Sequence, residues 1–180
     1  MRQIMKPNIY TSIRKPPPTF EIAERPCLDQ LVDLYEGNFR LLRQLVPGLH
    51  GFTGSSVSLS ADTPDLHLQI IEQSPYTSQF SLTWYFDWNN RRCPEPDFRL
   101  RASHDASLLE VISFQAGGGV VVQGNTHRPM ACHVLSTLDW KWQVNIFLKK
   151  WLGYCLENGH RFPAEQPHSI SADLITPGNS

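Results

Sequence analysis

A chain of 180 residues, 41% of them hydrophobic, is long enough for one domain with a buried core and too polar for a membrane-embedded bundle. Its formal net charge of −1 excludes a global field that would draw nucleic acid or an anionic membrane to it. The opening MRQIMKPNIY has no apolar signal core, no run nears the ~18 apolar residues of a membrane span, and the four cysteines form no C-x-x-C pair, so a reduced, soluble, cytoplasmic protein is expected.

Residues 1–25 read as an extended or disordered lead-in, because Pro16-Pro17-Pro18 favours polyproline II and cannot continue a helix. Pro26 suits the first turn of a helix that runs to Val46, where Pro47-Gly48 ends it. Its apolar stripe is Leu28, Leu31, Val32, Tyr35, Phe39, Leu42 and Val46, widened by Leu34, Leu41 and Leu45. Gly37 in the middle costs about 1 kcal/mol relative to alanine and hints at a close crossing.

Strand-like alternation begins at Val57 and Leu59, separated by serines, and Thr63-Pro64-Asp65 reads as a turn. Leu66, Leu68 and Ile70 alternate with His67 and Gln69 until Ser74-Pro75 breaks the strand. Phe80, Leu82, Trp84 and Phe86 alternate with polar residues and Tyr85, the cleanest period of two in the chain. Asn89 to Pro96 is expected to be a polar loop because prolines flank Glu95. Phe98, Leu100 and Ala102 then mark a strand that turns at His104-Asp105-Ala106 into LLEVISF, a natural hairpin. Beyond Gly117-Gly118-Gly119, Val120 to Val122 make a candidate edge strand, and Asn125 to Leu135 is irregular.

The strongest helical signal spans Asp139 to Gly159, with Ser136 or Thr137 as cap and Asn158-Gly159 as a left-handed stop. Trp140, Val144, Phe147, Leu148, Trp151, Leu152 and Cys155 share one face. The residues from 163 to 180 read as a mobile tail around a single domain at 26–162. Helix, several strands joined by short turns, helix: this order predicts an α+β fold, an antiparallel meander of about five strands covered by an N-terminal and a C-terminal helix.

Several blocks carry a family resemblance: Leu34-Tyr35-Glu36-Gly37-Asn38-Phe39 with Leu42 and Leu45-Val46-Pro47, Glu72 with Tyr76-Thr77, and Arg101 with His104-Asp105-Ala106 and Glu110-Val111. The closing helix adds Lys141, Gln143, Asn145, Phe147-Leu148, Trp151-Leu152, Cys155-Leu156 and Gly159. Together, from about Leu28 to His160, they resemble the YqiB-like family, proteobacterial proteins defined by a domain of unknown function. The chain departs from that pattern in its longer tails and at Trp140, where an acidic residue is expected. Members are similar to proteins found near genes for a cyclic-AMP phosphodiesterase and an ADP-ribose pyrophosphatase, which implies nucleotide metabolism by association alone. No strand-linked G-x-G-x-x-G supports a dinucleotide enzyme.

Among candidate chemistries, His104 beside Asp105 has the composition of an oriented general base, although neighbours in an extended strand point to opposite faces. Glu72, Arg101 and Glu110 in neighbouring strands, with His104, would bind a polar ligand or form a cross-strand ion-pair network. His104, His127 and Cys132-His133 match no structural zinc spacing, and neither a metal nor a cofactor is expected. Arg91, Arg92, Arg99 and Arg101 near Trp84, Tyr85 and Trp88 are a weak footprint for single-stranded RNA, so nucleic acid is disfavoured. Trp142 and Ile146, with Lys149 alongside, lie off the core stripe of the closing helix and suggest a protein partner or homodimer surface. The first expectation is therefore a non-catalytic accessory or regulatory module binding a protein partner or a nucleotide-like ligand. The alternative is a small hydrolase using His104 and Asp105 with Arg101 as anion clamp, which requires His104, Arg101 and Glu110 to line one pocket.

Overall fold

The structure is a computed structural model that describes residues 27–88, 91–116, 119–121 and 137–164. The expected lead-in, the irregular stretch Asn125 to Leu135 and the tail beyond 164 lie outside the described residues.

Helix α1 spans Leu28–Leu45. At its start the backbone N–H of Cys27 donates to Gln30 Oε1 at 3.1 Å, and at its end Val46 N–H donates to the Leu42 carbonyl at 2.7 Å before Pro47 stops the helix. Its buried stripe is Leu31, Leu34, Asn38, Phe39, Leu42 and Leu45. Leu28 and Val32, expected in that stripe, are 67% and 41% exposed. The inward face is turned towards Leu34 and Asn38, because Asn38 is buried to bond the closing helix. An asparagine leaves no trace in an apolar pattern, which is why that pattern alone places the stripe slightly off.

Six strands follow: β1 (Ser55–Ser58), β2 (Leu66–Gln73), β3 (Thr77–Trp88), β4 (Arg91–Ser103), β5 (Leu108–Ala116) and β6 (Gly119–Val121). They form one sheet in chain order, each antiparallel to the next, the meander that the short turns predict. Phe80, Leu82 and Trp84 of β3 and Phe98, Leu100 and Ala102 of β4 are fully buried on one face.

Two strands differ from their sequence reading. In β1 the apolar side chain is the outward one: Val57 is 43% exposed, whereas Ser58 is buried. Ser58 is turned inward because its hydroxyl receives the Arg161 backbone N–H at 3.0 Å and meets His160 Nδ1 at 3.2 Å. The expected loop up to Pro96 is instead the first half of β4, which pairs Arg91 with Trp88 and Pro94 with Tyr85. Among the described residues β5 pairs with β4 from Asp97 onward, so the described ladder of the proline-bearing half of β4 is the one with β3. There a proline's missing N–H disturbs no second ladder among the described residues, as at a sheet edge. The register shift between Thr83 and Tyr85 takes up the extra residue, and Thr83 Oγ1 donates to the Pro96 carbonyl at 2.8 Å.

Helix α2 spans Thr137–Glu157. It ends in a Schellman arrangement: Gly159 N–H donates to the Leu156 carbonyl at 3.2 Å and His160 N–H to the Cys155 carbonyl at 3.0 Å. Gly159 has φ of +83°, a left-handed conformation that glycine adopts without strain. Val144, Phe147, Leu148, Trp151, Leu152 and Cys155 are buried, and Trp140 packs partly buried against them. The helix locks to the sheet through aromatic contacts, Trp84 with Trp151 at 5.2 Å and 62° and Phe114 with Phe147 at 5.3 Å and 63°. α1 lies against both β5 and α2, and Asn38 Nδ2 donates to the Asn145 carbonyl at 3.2 Å across the helix pair. Both helices share one core cluster with the same sheet face. This is the expected α+β architecture.

Candidate functional site

His104 opens the four-residue turn between β4 and β5. Its backbone N–H donates to the Tyr76 carbonyl at 2.8 Å, and its Nε2 lies 2.6 Å from Ser78 Oγ. The ring meets His50 edge-on at a centroid distance of 5.0 Å and Phe39 at 6.3 Å. Burial holds its pKa below the usual histidine value, helped by His50 and opposed by Asp105. Asp105 is exposed in the turn, and among the described residues the ring's hydrogen bond goes to Ser78 rather than to Asp105. Ser107, closing the turn, has a left-handed φ of 55°. Beneath this turn is a groove of about 260 Å³ lined by Phe39, Leu42, Arg43, Val46, His50 and His104, among others.

Glu72, Arg101 and Glu110 do come together, but elsewhere. The register aligns Glu72 with Gln79, Gln79 with Arg101 and Arg101 with Glu110 across four strands. Gln79 Nε2 donates to Glu72 Oε2 at 2.9 Å, Arg101 forks onto Glu110 through Nε at 2.8 Å and through Nη2, and Lys141 of α2 lies 3.7 Å from Glu110 Oε2. Arg101 and Glu110 alternate with the buried Leu100, Ala102, Leu109 and Val111, so they belong to the sheet face opposite His104. Among the described residues the groove that His104 lines includes neither Arg101 nor Glu110. This partly exposed ladder is a cross-strand network of modest worth.

At its Glu110 end the side of the sheet that carries the ladder meets both helices, through Lys141 of α2 and Tyr35 of α1. Towards the open end of β3 and β4 its polar residues surround a larger cavity of about 550 Å³, lined by Gln69, Ser81, Tyr85, Asp97, Arg99 and Ser113 together with Ile70, Ile71 and Pro94. The register explains the convergence, since Gln69 pairs with Ser81, Ser81 with Arg99, and Arg99 with Ser113. The Arg92 guanidinium sits 4.2 Å from the Tyr85 ring centroid, and His67 meets the same ring edge-on at 4.8 Å. Arg92 Nη2 lies 3.1 Å from His67 Nε2, a geometry in which the guanidinium donates to a neutral ring. His67 is accordingly held below the usual histidine pKa, first by burial and then by Arg92. Burial raises the Asp97 carboxyl, against the pull of Arg99. Tyr85, the Arg99 guanidinium, and mixed donors and acceptors thus line one open concavity, with Arg92 and His67 against the Tyr85 ring.

Of the arginine and aromatic group read as an RNA footprint, Tyr85, Arg92 and Arg99 are on this face, whereas Trp84 is core. The sequence reading passed over Gln69, Ser81, Asp97 and Ser113 as site residues. Their signal was the polar half of each alternation, which becomes a site only once the register is known. Trp142 and Ile146 are partly buried on α2, and Lys149 is exposed, its Nζ 3.7 Å from where a side chain on Gly37 would begin. The candidate metal residues His127, Cys132 and His133 lie outside the described residues. Among those described, no three histidine, cysteine or acidic side chains gather as metal ligands, and no helix is long and apolar enough to cross a membrane.

The model of the family described as "Protein of unknown function (DUF1249)" matches residues 41–161. The uncharacterized protein YqiB of Escherichia coli strain K12 is 29% identical over 140 residues, covering 74% of this chain and 91% of that protein. YqiB of strains CFT073 and O157:H7 matches to the same extent. No solved structure matches the chain. The family match runs from the second half of α1, through the whole sheet, to the residue after the buried His160, and on that span the chain belongs to the DUF1249 family of proteins of unknown function.

Proposed function

We propose that this protein is a non-catalytic accessory or regulatory module that binds a nucleotide-like ligand on the open face of its sheet. The observation that carries this reading is Tyr85, bracketed by Arg92 and His67 at the wall of the 550 Å³ cavity. The volume falls within the ~300–1,000 Å³ of small-molecule sites. A base stacks on an aromatic or guanidinium plane, and such stacking is worth roughly 1–3 kcal/mol. Arg92 and Arg99 supply charge for a phosphate, while Gln69, Ser81, Asp97 and Ser113 offer both donors and acceptors for ring edges and ribose hydroxyls. A binding role is favoured over hydrolysis because His104 stands apart from Arg101 and Glu110. The test is a thermal-shift panel of AMP, ADP and ADP-ribose against adenosine and ribose 5-phosphate. Nucleotides should raise the midpoint and the two fragments should do so less; a panel without any shift overturns the reading.

A protein partner or a second copy at the closing helix is the second reading, and one observation favours it. Trp142 and Ile146 are only partly buried on α2 and Lys149 beside them is exposed, which leaves apolar surface next to a cation for a partner to cover. On this reading Trp142→Ala weakens self-association or partner capture in light scattering and pull-down while the circular dichroism spectrum is kept. Unchanged association removes it.

A further inference from the structure

We propose that the groove between α1 and the β4–β5 turn is a second binding site, independent of the open sheet face, for a small amphipathic carboxylate. Its walls supply the apolar half: Phe39, Leu42, Val46 and Leu49 are buried at 6% exposure or less, yet border the groove. Its rim supplies the charge. Arg43 is exposed there, and among the described residues its guanidinium enters no ion pair or hydrogen bond. Two imidazoles stand beside it, 5.0 Å apart.

The hydrogen bonds of those rings define how an anion would meet them. His50 Nε2 is 3.0 Å from the Pro75 carbonyl, which can only accept, so Nε2 carries the proton and Nδ1 is the nitrogen left over. In the neutral ring that Nδ1 is a lone pair, which a carboxylate avoids; in the protonated ring it is a charged donor. His104 Nε2 is likewise engaged, by Ser78. Of the groups around His104, the His50 imidazole disfavours its protonation and Asp105 in the turn favours it, while Arg43 of α1 is a further cation at the rim. A carboxylate seated among them would reverse the balance and draw a proton in. Size sets the rest of the chemistry: about 260 Å³ lies just below the ~300–1,000 Å³ range of drug-sized sites, which suits a short acyl or monocyclic acid better than a nucleotide.

Hexanoate is the direct probe, with hexanamide lacking the charge and acetate lacking the apolar body. Titrated into the ¹⁵N-labelled full chain, hexanoate should shift the amides of Leu42, Val46, His50 and His104 saturably. Affinity should rise roughly tenfold from pH 8 to pH 5.5, the effect of one pKa unit of coupling. Arg43→Gln, at an exposed position that leaves the core intact, should weaken binding by about the same factor. Hexanamide binding as tightly as hexanoate, indifference to Arg43→Gln, or the absence of saturable shifts would overturn the proposal. Shifts confined to Tyr85 and Arg99 would do so as well, by assigning the acid to the other site.

Discussion

His160 shows how much a single side chain does in this fold. It is fully buried, its Nε2 2.7 Å from Thr63 Oγ1 and its Nδ1 3.2 Å from Ser58 Oγ, and it joins the segment after α2 to the edge strand β1. Burial depresses its pKa below the ordinary 6.5, with smaller opposing effects from Ser58 and Asp65. The folded ring therefore resists a proton that the unfolded ring accepts. Its contribution to stability is complete above pH 6.5 and is lost as pH falls from there through the depressed folded value. Urea denaturation between pH 8 and pH 5 should show stability falling with acid, and His160→Gln should lower stability at pH 8 while flattening that slope. A slope unaltered in the variant would place the titration elsewhere. Nothing in the sequence singled out this histidine: its partners Ser58 and Thr63 lie about a hundred residues away, and serine in a strand pattern reads as the solvent side.

Between elements, two glycines make opposite predictions. A Cβ on Gly37 would meet only Lys149 Nζ and Cε, at 3.7 and 3.8 Å, an ordinary contact with the end of a flexible chain. Gly37→Ala should therefore stabilise the protein by about 1 kcal/mol, since helix propensity improves without a clash. At Gly48 a Cβ would fall 2.1 Å from the Ala164 carbonyl oxygen, where the chain leaving α2 crosses the end of α1. That crossing is held by Phe162 N–H donating to the Leu45 carbonyl at 2.8 Å and by the Phe52–Phe162 ring pair. Gly48→Ala should cost about 1–3 kcal/mol, as overpacking against backbone does. Thermal melts of both variants would check the pair of signs. From sequence Gly37 looked like the close approach, and Gly48 only like a helix stop. The helix crossing near Gly37 is real, but the tight contact belongs to Gly48, because it depends on where residue 164 returns. Elements governed by local pattern were readable, including the alternation in β3, the hairpin from β4 to β5 and the stop at Gly159. The paired half of β4 at Pro94 was not, since its tolerance of proline depends on the β5 ladder, which among the described residues starts at Asp97.

The whole molecule has two unlike surfaces, and that division carries its functional reading. One sheet face is sealed by α1 and α2 over a core of Trp84, Trp151 and Phe98. The other brings polar residues from β2 to β5 into register around Tyr85. The sequence named Tyr85, Arg92 and Arg99 but grouped them with Arg101 and Trp84, which the fold assigns to an ion-pair ladder and to the core. It likewise joined His104 to Arg101 and Glu110, a grouping that the alternation of β4 divides between two faces. Cavities arise from register across four strands, and no local spacing encodes that. Isothermal titration of AMP into the full chain, compared with Tyr85→Ala and Arg92→Ala, tests this division most directly. The account predicts saturable one-to-one binding that weakens at least about tenfold in each variant, within the 1–3 kcal/mol of a stacking contact, with melting midpoints preserved. Absence of binding heat in the unmodified chain, or binding undiminished by both substitutions, would contradict it.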